Sequence, residues 1–223
     1  MAKPEIIGSV RSSYTRVVRM VCEEKVIDYD LTETLLGAAE IRVLHPFGKM
    51  PVLRHGDLVL CESKAIATYL DRAFGGPQLI PSEPRLAALT EQWISFINTA
   101  IDPLLVRRYL LAYAAPRTAD GKPDRALIES LLPDVRAQLT LLDDAVAATN
   151  HLVGDQFTLA DIYLLPILFY LKLPPESAPL LARSTALGRY LDAHAARPSF
   201  VRTVPPLEPP RRAAPASNTG KFS

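Results

Sequence analysis

Two adjoining stretches decide the fold: GKMPVL at residues 48–53 and LCESKAI at residues 60–66. In the first, Pro51 precedes a short apolar run, and because proline has no backbone N–H, this position favours the start or edge of a strand. In the second, Glu62 and Ser63 lead into the i, i+3, i+4 apolar spacing of a half-buried helix. A helix start carries free N–H groups and partial positive charge, so the pattern predicts a site for a small carboxylate ligand. The alternative is an ordinary strand, turn and helix with a capping serine.

The residues around these stretches predict a small α/β unit. Strands are expected over residues 6–10, 27–31, 51–54 and 58–61, and helices over residues 14–22, 35–43 and 63–74. A strand, helix and strand at this spacing form a right-handed βαβ unit with parallel strands. The polar turn at residues 55–57 joins its flanking strands as a hairpin. The first part of the chain is therefore expected to be a βαβ-α-ββα unit with one small sheet.

After about residue 80 the chain shows helical spacing and no convincing strand pattern. Apolar stripes predict two long helices, the first bent at Pro103. Thr158 and Asp161 have the spacing of a capping box at the start of a further helix. The expected organisation is an α/β domain over residues 1–76, a linker over 77–84, a helical domain over 85–204 and an irregular proline-rich tail over 205–223.

Composition narrows the class of protein. The 223 residues carry a net charge of +1, which gives no sign of a nucleic-acid partner or an anionic membrane surface. Cys22 and Cys61 lack the spacing of a redox motif, and the four histidines lack metal-ligand spacing. The N-terminus has no signal-peptide core, and the longest apolar run, residues 162–173, is too short to cross a membrane. These features predict a soluble cytoplasmic protein that binds no metal.

Several motifs occur together in this chain: Ser12 with RVVRM at residues 16–20, HPFGKMPVL at 45–53, ESKAI at 62–66 and TLAD at 158–161. In this order and spacing they resemble the glutathione S-transferase family. Within that family, the chain resembles the serine-type, bacterial-like members. The resemblance covers about the first 200 residues. It implies a thioredoxin-like N-terminal domain followed by an all-helical bundle.

The resemblance implies how glutathione would be bound. In the family, the peptide bond before the proline at position 51 is cis, and the backbone at Met50 pairs with the cysteinyl part of glutathione like an added strand. Glu62 and Ser63 would hold the γ-glutamyl end, and Lys49 is placed to meet the glycine carboxylate. Glutathione carries charge at both ends, so these assignments give each end its own partner.

The resemblance also places Ser12 where a family serine activates the thiol of glutathione. A free thiol has a pKa near 8.5, so only about 3% is ionised at pH 7, and a hydroxyl that donates to the sulfur would favour the thiolate. Ser13 and Tyr14 are alternatives for this role, and Ser12 acting only as a helix cap is another.

The resemblance further implies a second-substrate pocket, with Tyr14, Arg107 and Tyr113 as its candidate residues. The alternative for its arginine is a helix end whose cations suit the dipole.

The implied activity is conjugation of the glutathione thiolate to a small hydrophobic electrophile, as in detoxification. A glutathione-dependent isomerase of the maleylacetoacetate type or a dehalogenase would use the same thiolate, although Tyr14 stands where zeta-type isomerases have cysteine. A non-catalytic binding module is a third alternative, opposed by the intact glutathione motifs. The family further implies a homodimer, with glutathione as co-substrate and no metal.

Overall fold

The computed structural model describes residues 2–115 and 118–207. The strands are β1 Glu5–Gly8, β2 Asp30–Glu33, β3 Val52–His55 and β4 Leu58–Cys61. The helices are α1 Ser13–Glu24, α2 Ala39–Leu44, α3 Ser63–Ala73, α4 Pro84–Phe96, α5 Leu111–Ala114, α6 Arg125–Val146, α7 Leu159–Leu171, α8 Ser177–Arg183, α9 Thr185–Ala195 and α10 Pro198–Arg202. A π-helical segment, Ile97–Leu110, joins α4 to α5. Of the predicted tail, residues 208–223 lie outside the described residues.

The sheet has the strand order β2-β1-β3-β4. β1 pairs with β2 in parallel and with β3 antiparallel, and β3 and β4 form the hairpin. The predicted βαβ unit and hairpin are therefore confirmed, and α2 lies between them in the chain. An α/β half followed by a helical half confirms the thioredoxin-like and all-helical fold class.

Two predicted elements are misplaced. β2 begins at Asp30, not at residue 27, because Asp30 is the residue that pairs with Glu5 of β1. Ile27 instead donates its N–H to the Cys22 carbonyl at 2.8 Å and lies in the turn that follows α1. α2 begins at residue 39 rather than 35, because Gly37 has φ +80° and interrupts any helix that would include it.

The predicted long helix around Pro103 is continuous but not uniformly α-helical. Its central part, Ile97–Leu110, has the wider turns of a π-helix. Proline has no N–H and clashes with the preceding helical turn, so a local change of helical geometry near Pro103 is the expected response. This segment positions Asp102 and Arg107 for the site described below.

A continuous core joins the two halves. Val17 and Leu70 of the α/β half are buried in the same apolar cluster as Leu105 and Leu164 of the helical half. Arg16 of α1 is also fully buried. Its guanidinium lies 4.6 Å and 4.2 Å from the ring centroids of Phe169 and Phe200 respectively. These contacts hold α1 and the start of the site against α7 and α10.

The predicted capping box begins α7. The Thr158 side chain accepts a hydrogen bond from the Ala160 N–H at 3.3 Å, and the Asp161 carboxylate accepts one from the Thr158 N–H at 2.8 Å. The same carboxylate accepts hydrogen bonds from the Leu152 N–H at 3.0 Å and the Tyr190 hydroxyl at 3.1 Å. These hydrogen bonds to the buried Asp161 carboxylate determine where α7 begins.

In the described part of the chain, no helix is both long and apolar enough to cross a membrane.

Candidate active site

The hairpin brings the two predicted binding motifs to the same end of the sheet. Val52 pairs with Cys61, so Pro51, directly before β3, and Glu62, directly after β4, lie at the adjacent ends of neighbouring strands. The Met50–Pro51 peptide bond is cis, which confirms that expectation. The Met50 sulfur accepts a hydrogen bond from the Ser9 N–H at 3.1 Å. The Met50 side chain therefore faces the β1–α1 loop, which contains Ser12.

Glu62 has an unusual backbone conformation, with φ 68° and ψ 115°. An L-residue adopts such a conformation at a cost of about 1–3 kcal/mol, and such residues concentrate at functional sites. The carboxylate of Glu62 remains largely exposed, whereas Ser63, the first residue of α3, is buried. The sequence pattern located this helix start but carried no sign of the strained residue before it.

Ser63 contacts a residue that the sequence analysis missed. Its Oγ lies 2.9 Å from the hydroxyl oxygen of Tyr163, which comes from α7 in the helical half. Tyr163 is almost completely buried, and burial raises the pKa of its phenol. A buried tyrosine hydroxyl normally needs a hydrogen-bond partner. The presence of a tyrosine in the apolar sequence of α7 could therefore have indicated a buried hydrogen bond, but it did not indicate which residue is the partner.

His45 and Lys49 belong to the segment between α2 and the cis peptide bond. The His45 Nδ1 accepts a hydrogen bond from the Phe47 N–H at 3.0 Å, so in a neutral ring the hydrogen is on Nε2. Nε2 lies 3.6 Å from Glu62 Oε1. Together with Arg42, both side chains line a surface cleft next to the hairpin. Such a cationic cleft can receive a carboxylate.

Ser12 caps α1. Its Oγ accepts a hydrogen bond from the Thr15 N–H at 3.3 Å, so the structural alternative for this residue is present in the molecule. A serine hydroxyl has one hydrogen to donate and two lone pairs. Ser12 can therefore cap the helix and still donate to a bound thiolate. The catalytic role remains a prediction.

The structure brings together two of the three residues predicted for a second-substrate pocket. The Arg107 guanidinium carbon lies 5.5 Å from the ring centroid of Tyr14, and Nε donates to Asp102 Oδ2 at 2.8 Å. Asp102 is buried, and its Oδ1 has no hydrogen-bond partner among the described residues. Burial, reinforced by the charge of Asp102, raises the pKa of Tyr14. Its phenol therefore stays protonated near neutral pH.

Tyr113 has other neighbours. Its hydroxyl donates to Glu176 and lies 3.4 Å from Arg125 Nη1, and its ring packs edge-on against Tyr109. None of these hydrogen bonds or ring contacts of Tyr113 involves Tyr14 or Arg107.

Within residues 2–115 and 118–207, no three His, Cys, Asp or Glu side chains are grouped so that they could hold a metal ion.

Family models match both halves of the chain. The model for the glutathione S-transferase N-terminal domain matches residues 6–78, and that for the C-terminal domain matches residues 125–193. Glutathione S-transferase 3 of Zea mays is 33% identical, over 94% of this chain and 98% of its own length. Glutathione S-transferase F11 of Arabidopsis thaliana is 26% identical, over 90% and 96%. These relatives are plant proteins, so the expectation of a serine-type, bacterial-like member gains no support from them.

Solved structures agree with the sequence relatives. A glutathione S-transferase from Methylobacillus flagellatus with GSH bound superposes with a TM-score of 0.77 at 29% identity, covering 91% of this chain and 100% of that one. Glutathione transferase F7 from Populus trichocarpa gives a TM-score of 0.81 at 24% identity, over 90% and 97%. The second similarity concerns the fold alone.

Proposed function

Because this chain belongs to the glutathione S-transferase family of enzymes, we propose that it conjugates the thiolate of glutathione to a small hydrophobic electrophile. The observation that carries the proposal is the pairing of Val52 with Cys61, which sets the cis bond at Pro51 beside the start of α3. An extended peptide can add to a free backbone edge while its carboxylate meets a helix N-terminus. Both features lie within one tripeptide's reach here.

The charges around this pair suit the two ends of glutathione. In this proposal Ser63 binds the γ-glutamyl carboxylate through its N–H and hydroxyl, and Glu62 meets the neighbouring ammonium group. Lys49 meets the glycine carboxylate, with His45 and Arg42 on the same cleft. The backbone at Met50 holds the cysteinyl residue between these ends. In this proposal residues 1–76 form the glutathione-binding domain. The linker 77–84 joins this domain to residues 85–204, which form the domain that contacts the electrophile.

The thiol of glutathione must ionise at neutral pH. Lowering its pKa by about 2 units requires roughly 2.7 kcal/mol of preferential stabilisation of the thiolate. The Ser12 hydroxyl, at the positive end of α1, is a source of that stabilisation. The thiolate then attacks an electrophile held between the β1–α1 loop and the helical domain, and proximity accelerates the step.

We assign the electrophile to the side of the site formed by Tyr14 and Arg107. Their contact across the two domains provides an aromatic surface with an adjacent cation. Tyr113 is included in the same proposal, although its described contacts are with Glu176, Arg125 and Tyr109 rather than with Tyr14 or Arg107. The pocket therefore suits an aromatic or anionic acceptor.

The decisive experiment combines binding with turnover. We expect the protein to be retained on immobilised glutathione, to be eluted by free glutathione and to conjugate a chlorinated nitroaromatic. Failure to bind glutathione would refute the proposal. Binding with turnover of a maleyl substrate alone would instead identify an isomerase, and binding without any turnover would identify a binding module.

We also propose that the enzyme is a cytoplasmic homodimer. Val43 and Phe47 of the α/β domain are 86% and 77% exposed, and Phe96 of the helical domain is 45% exposed. Contact between the α/β domain of one subunit and the helices of the other would cover such side chains. Light scattering should give about twice the chain mass of 24.5 kDa.

The cytoplasmic location is supported by the free thiols of Cys22 and Cys61, which suit a reducing compartment.

A further inference from the structure

One side chain of the helical domain, Tyr163, contacts the proposed carboxylate-binding serine of the α/β domain. Tyr163 extends from α7 to the first residue of α3, where its hydroxyl oxygen lies 2.9 Å from Ser63 Oγ. Tyr163 is 1% exposed and Ser63 is 8% exposed, so the contact is shielded from solvent on the tyrosine side and slightly open on the serine side. The two residues are 100 positions apart in the chain.

Two features indicate which of the two hydroxyls donates in this hydrogen bond. The Tyr163 hydroxyl has no other hydrogen-bond partner among residues 2–115 and 118–207. By distance alone either hydroxyl can donate, but a phenol is more acidic than an aliphatic hydroxyl and is the stronger hydrogen-bond donor of the pair. This favours donation from Tyr163 to Ser63 Oγ. The hydrogen of Ser63 is then directed away from Tyr163.

The position of Tyr163 is itself well determined. Its ring packs edge-on against Tyr14, with the centroids 6.1 Å apart. It also lies in the first turns of α7, whose start is held by the capping box of Thr158 and Asp161. A side chain held in this way can orient its neighbour with little loss of conformational entropy.

We propose that Tyr163 is a positioning residue for glutathione: it donates to Ser63 Oγ and so commits the serine hydrogen to the γ-glutamyl carboxylate. This inference rests on the proposed function, in which Ser63 binds that carboxylate. Hydrogen bonds in series polarise one another, so the phenol also makes the serine hydroxyl a better donor to an anion. The helical domain thereby contributes to the affinity for glutathione as well as to the electrophile pocket.

The test measures dissociation constants by calorimetry for two ligands. One is glutathione, and the other is 4-aminobutanoyl-cysteinylglycine, which lacks the γ-glutamyl carboxylate. Tyr163→Phe removes only the hydroxyl, and we expect it to weaken glutathione roughly 3- to 10-fold while changing the analogue less than 2-fold. Tyr170→Phe is the matched control. It also removes one hydrogen bond from α7 to the other domain, from its hydroxyl to the Arg11 carbonyl at 2.8 Å, and should not change the ratio of the two constants.

Ser63→Ala separates this inference from the proposed function. If wild-type protein does not bind glutathione, or Ser63→Ala does not weaken it, the proposed function or its assignment of Ser63 fails. If Ser63→Ala weakens binding and Tyr163→Phe does not, or Tyr163→Phe weakens both ligands equally, the role of Tyr163 is refuted. In the Ser63→Ala background the tyrosine substitution should have no further effect. Tyr163→Leu, which also lacks the hydroxyl, replaces the phenylalanine variant if that variant does not fold.

Discussion

Val52 pairs with Cys61 across the β3–β4 hairpin, and this register determines the geometry of the site. One residue before Val52 is the cis-linked Pro51, and one residue after Cys61 is the strained Glu62. A register shifted by one residue would turn each strand over and separate the two motifs. The hairpin therefore aligns the backbone edge that is proposed to pair with a peptide and the helix start that is proposed to bind its carboxylate.

Ser12 both caps α1 and is the proposed activator of the thiol, and substitutions can separate these roles. Ser12→Ala should lower kcat/KM at pH 7 by roughly 10- to 100-fold, with a smaller loss near pH 9, where the thiol ionises unaided. It should also destabilise the protein by about 1 kcal/mol through loss of the cap. Steady-state kinetics over pH and thermal unfolding measure these effects.

Ser12→Asp is the matched control, because aspartate caps helices well but has no hydrogen to donate when ionised. It should keep the stability and lose the activity. Full activity in Ser12→Asp would show that capping alone accounts for the residue, and unchanged turnover in Ser12→Ala would transfer the role to Ser13, Tyr14 or backbone N–H groups.

Glu62 combines backbone strain with a proposed contact to the ammonium group of glutathione. Glu62→Gly and Glu62→Ala both remove the carboxylate, so both should weaken glutathione binding roughly 10-fold or more. Glycine tolerates the positive φ and alanine does not, so the glycine variant should be about 1 kcal/mol more stable than the alanine variant. Calorimetry and denaturant unfolding give the two quantities. Equal stability of the variants would show that the strain has no energetic consequence.

Arg107 is predicted to determine the choice of electrophile. Arg107→Gln should lower kcat/KM for an aromatic electrophile carrying a carboxylate roughly 10-fold, because a charge-assisted contact is lost. A neutral chlorinated nitroaromatic should change less than 3-fold. Arg108→Gln is the control, since this neighbour is also exposed and, within the described residues, it is Arg107 whose guanidinium stacks on Tyr14. Parallel losses in the two variants would indicate general electrostatics rather than a pocket residue.

Asp161 is predicted to act on stability rather than on selectivity. Asp161→Ala leaves four donors without their partner: the N–H groups of Leu152 and Thr158 and the hydroxyls of Thr158 and Tyr190. At about 1–3 kcal/mol for each unsatisfied buried group, the free energy of unfolding should fall by about 3 kcal/mol or more. The exposed Asp155→Ala should stay within about 0.5 kcal/mol of wild type. A changed ratio of kcat/KM between two electrophiles in folded Asp161→Ala would contradict the structural role.

Buried tyrosines should make the protein sensitive to alkaline pH. Burial raises the pKa of Tyr14, Tyr163 and Tyr190 above their ordinary value near 10. Above pH 10 the unfolded chain therefore binds fewer protons at these groups, and the free energy of unfolding falls as pH rises. Arg16 acts in the opposite direction, since burial lowers its pKa to about 10.

Comparison of Tyr163→Phe with wild type cancels the arginine contribution. Between pH 10 and 12 the variant should lose stability less steeply, by up to about 1.4 kcal/mol per pH unit. Denaturant unfolding at several pH values gives the two slopes. Equal slopes would mean that Tyr163 ionises at the same pH in the folded and unfolded chain.

Local features were predictable because neighbouring residues define them. The capping box of Thr158 and Asp161, the hairpin turn and the helix start at Ser63 depend on side chains and backbone groups a few positions apart. The error in β2 has the opposite origin. Alternating polarity placed the strand at residues 27–31, but the pairing of Asp30 with Glu5 decides where it begins.

The sequence by itself determined the order of elements, the two-part organisation and the motifs that resemble a glutathione site. Only the tertiary structure decided that Tyr163 meets Ser63, that His45 lies beside Glu62, and that Arg107 faces Tyr14 and not Tyr113. The physical reason is that periodicity and capping show which side of an element is buried. They carry no information on which distant side chain fills the space opposite, because that depends on how whole helices pack.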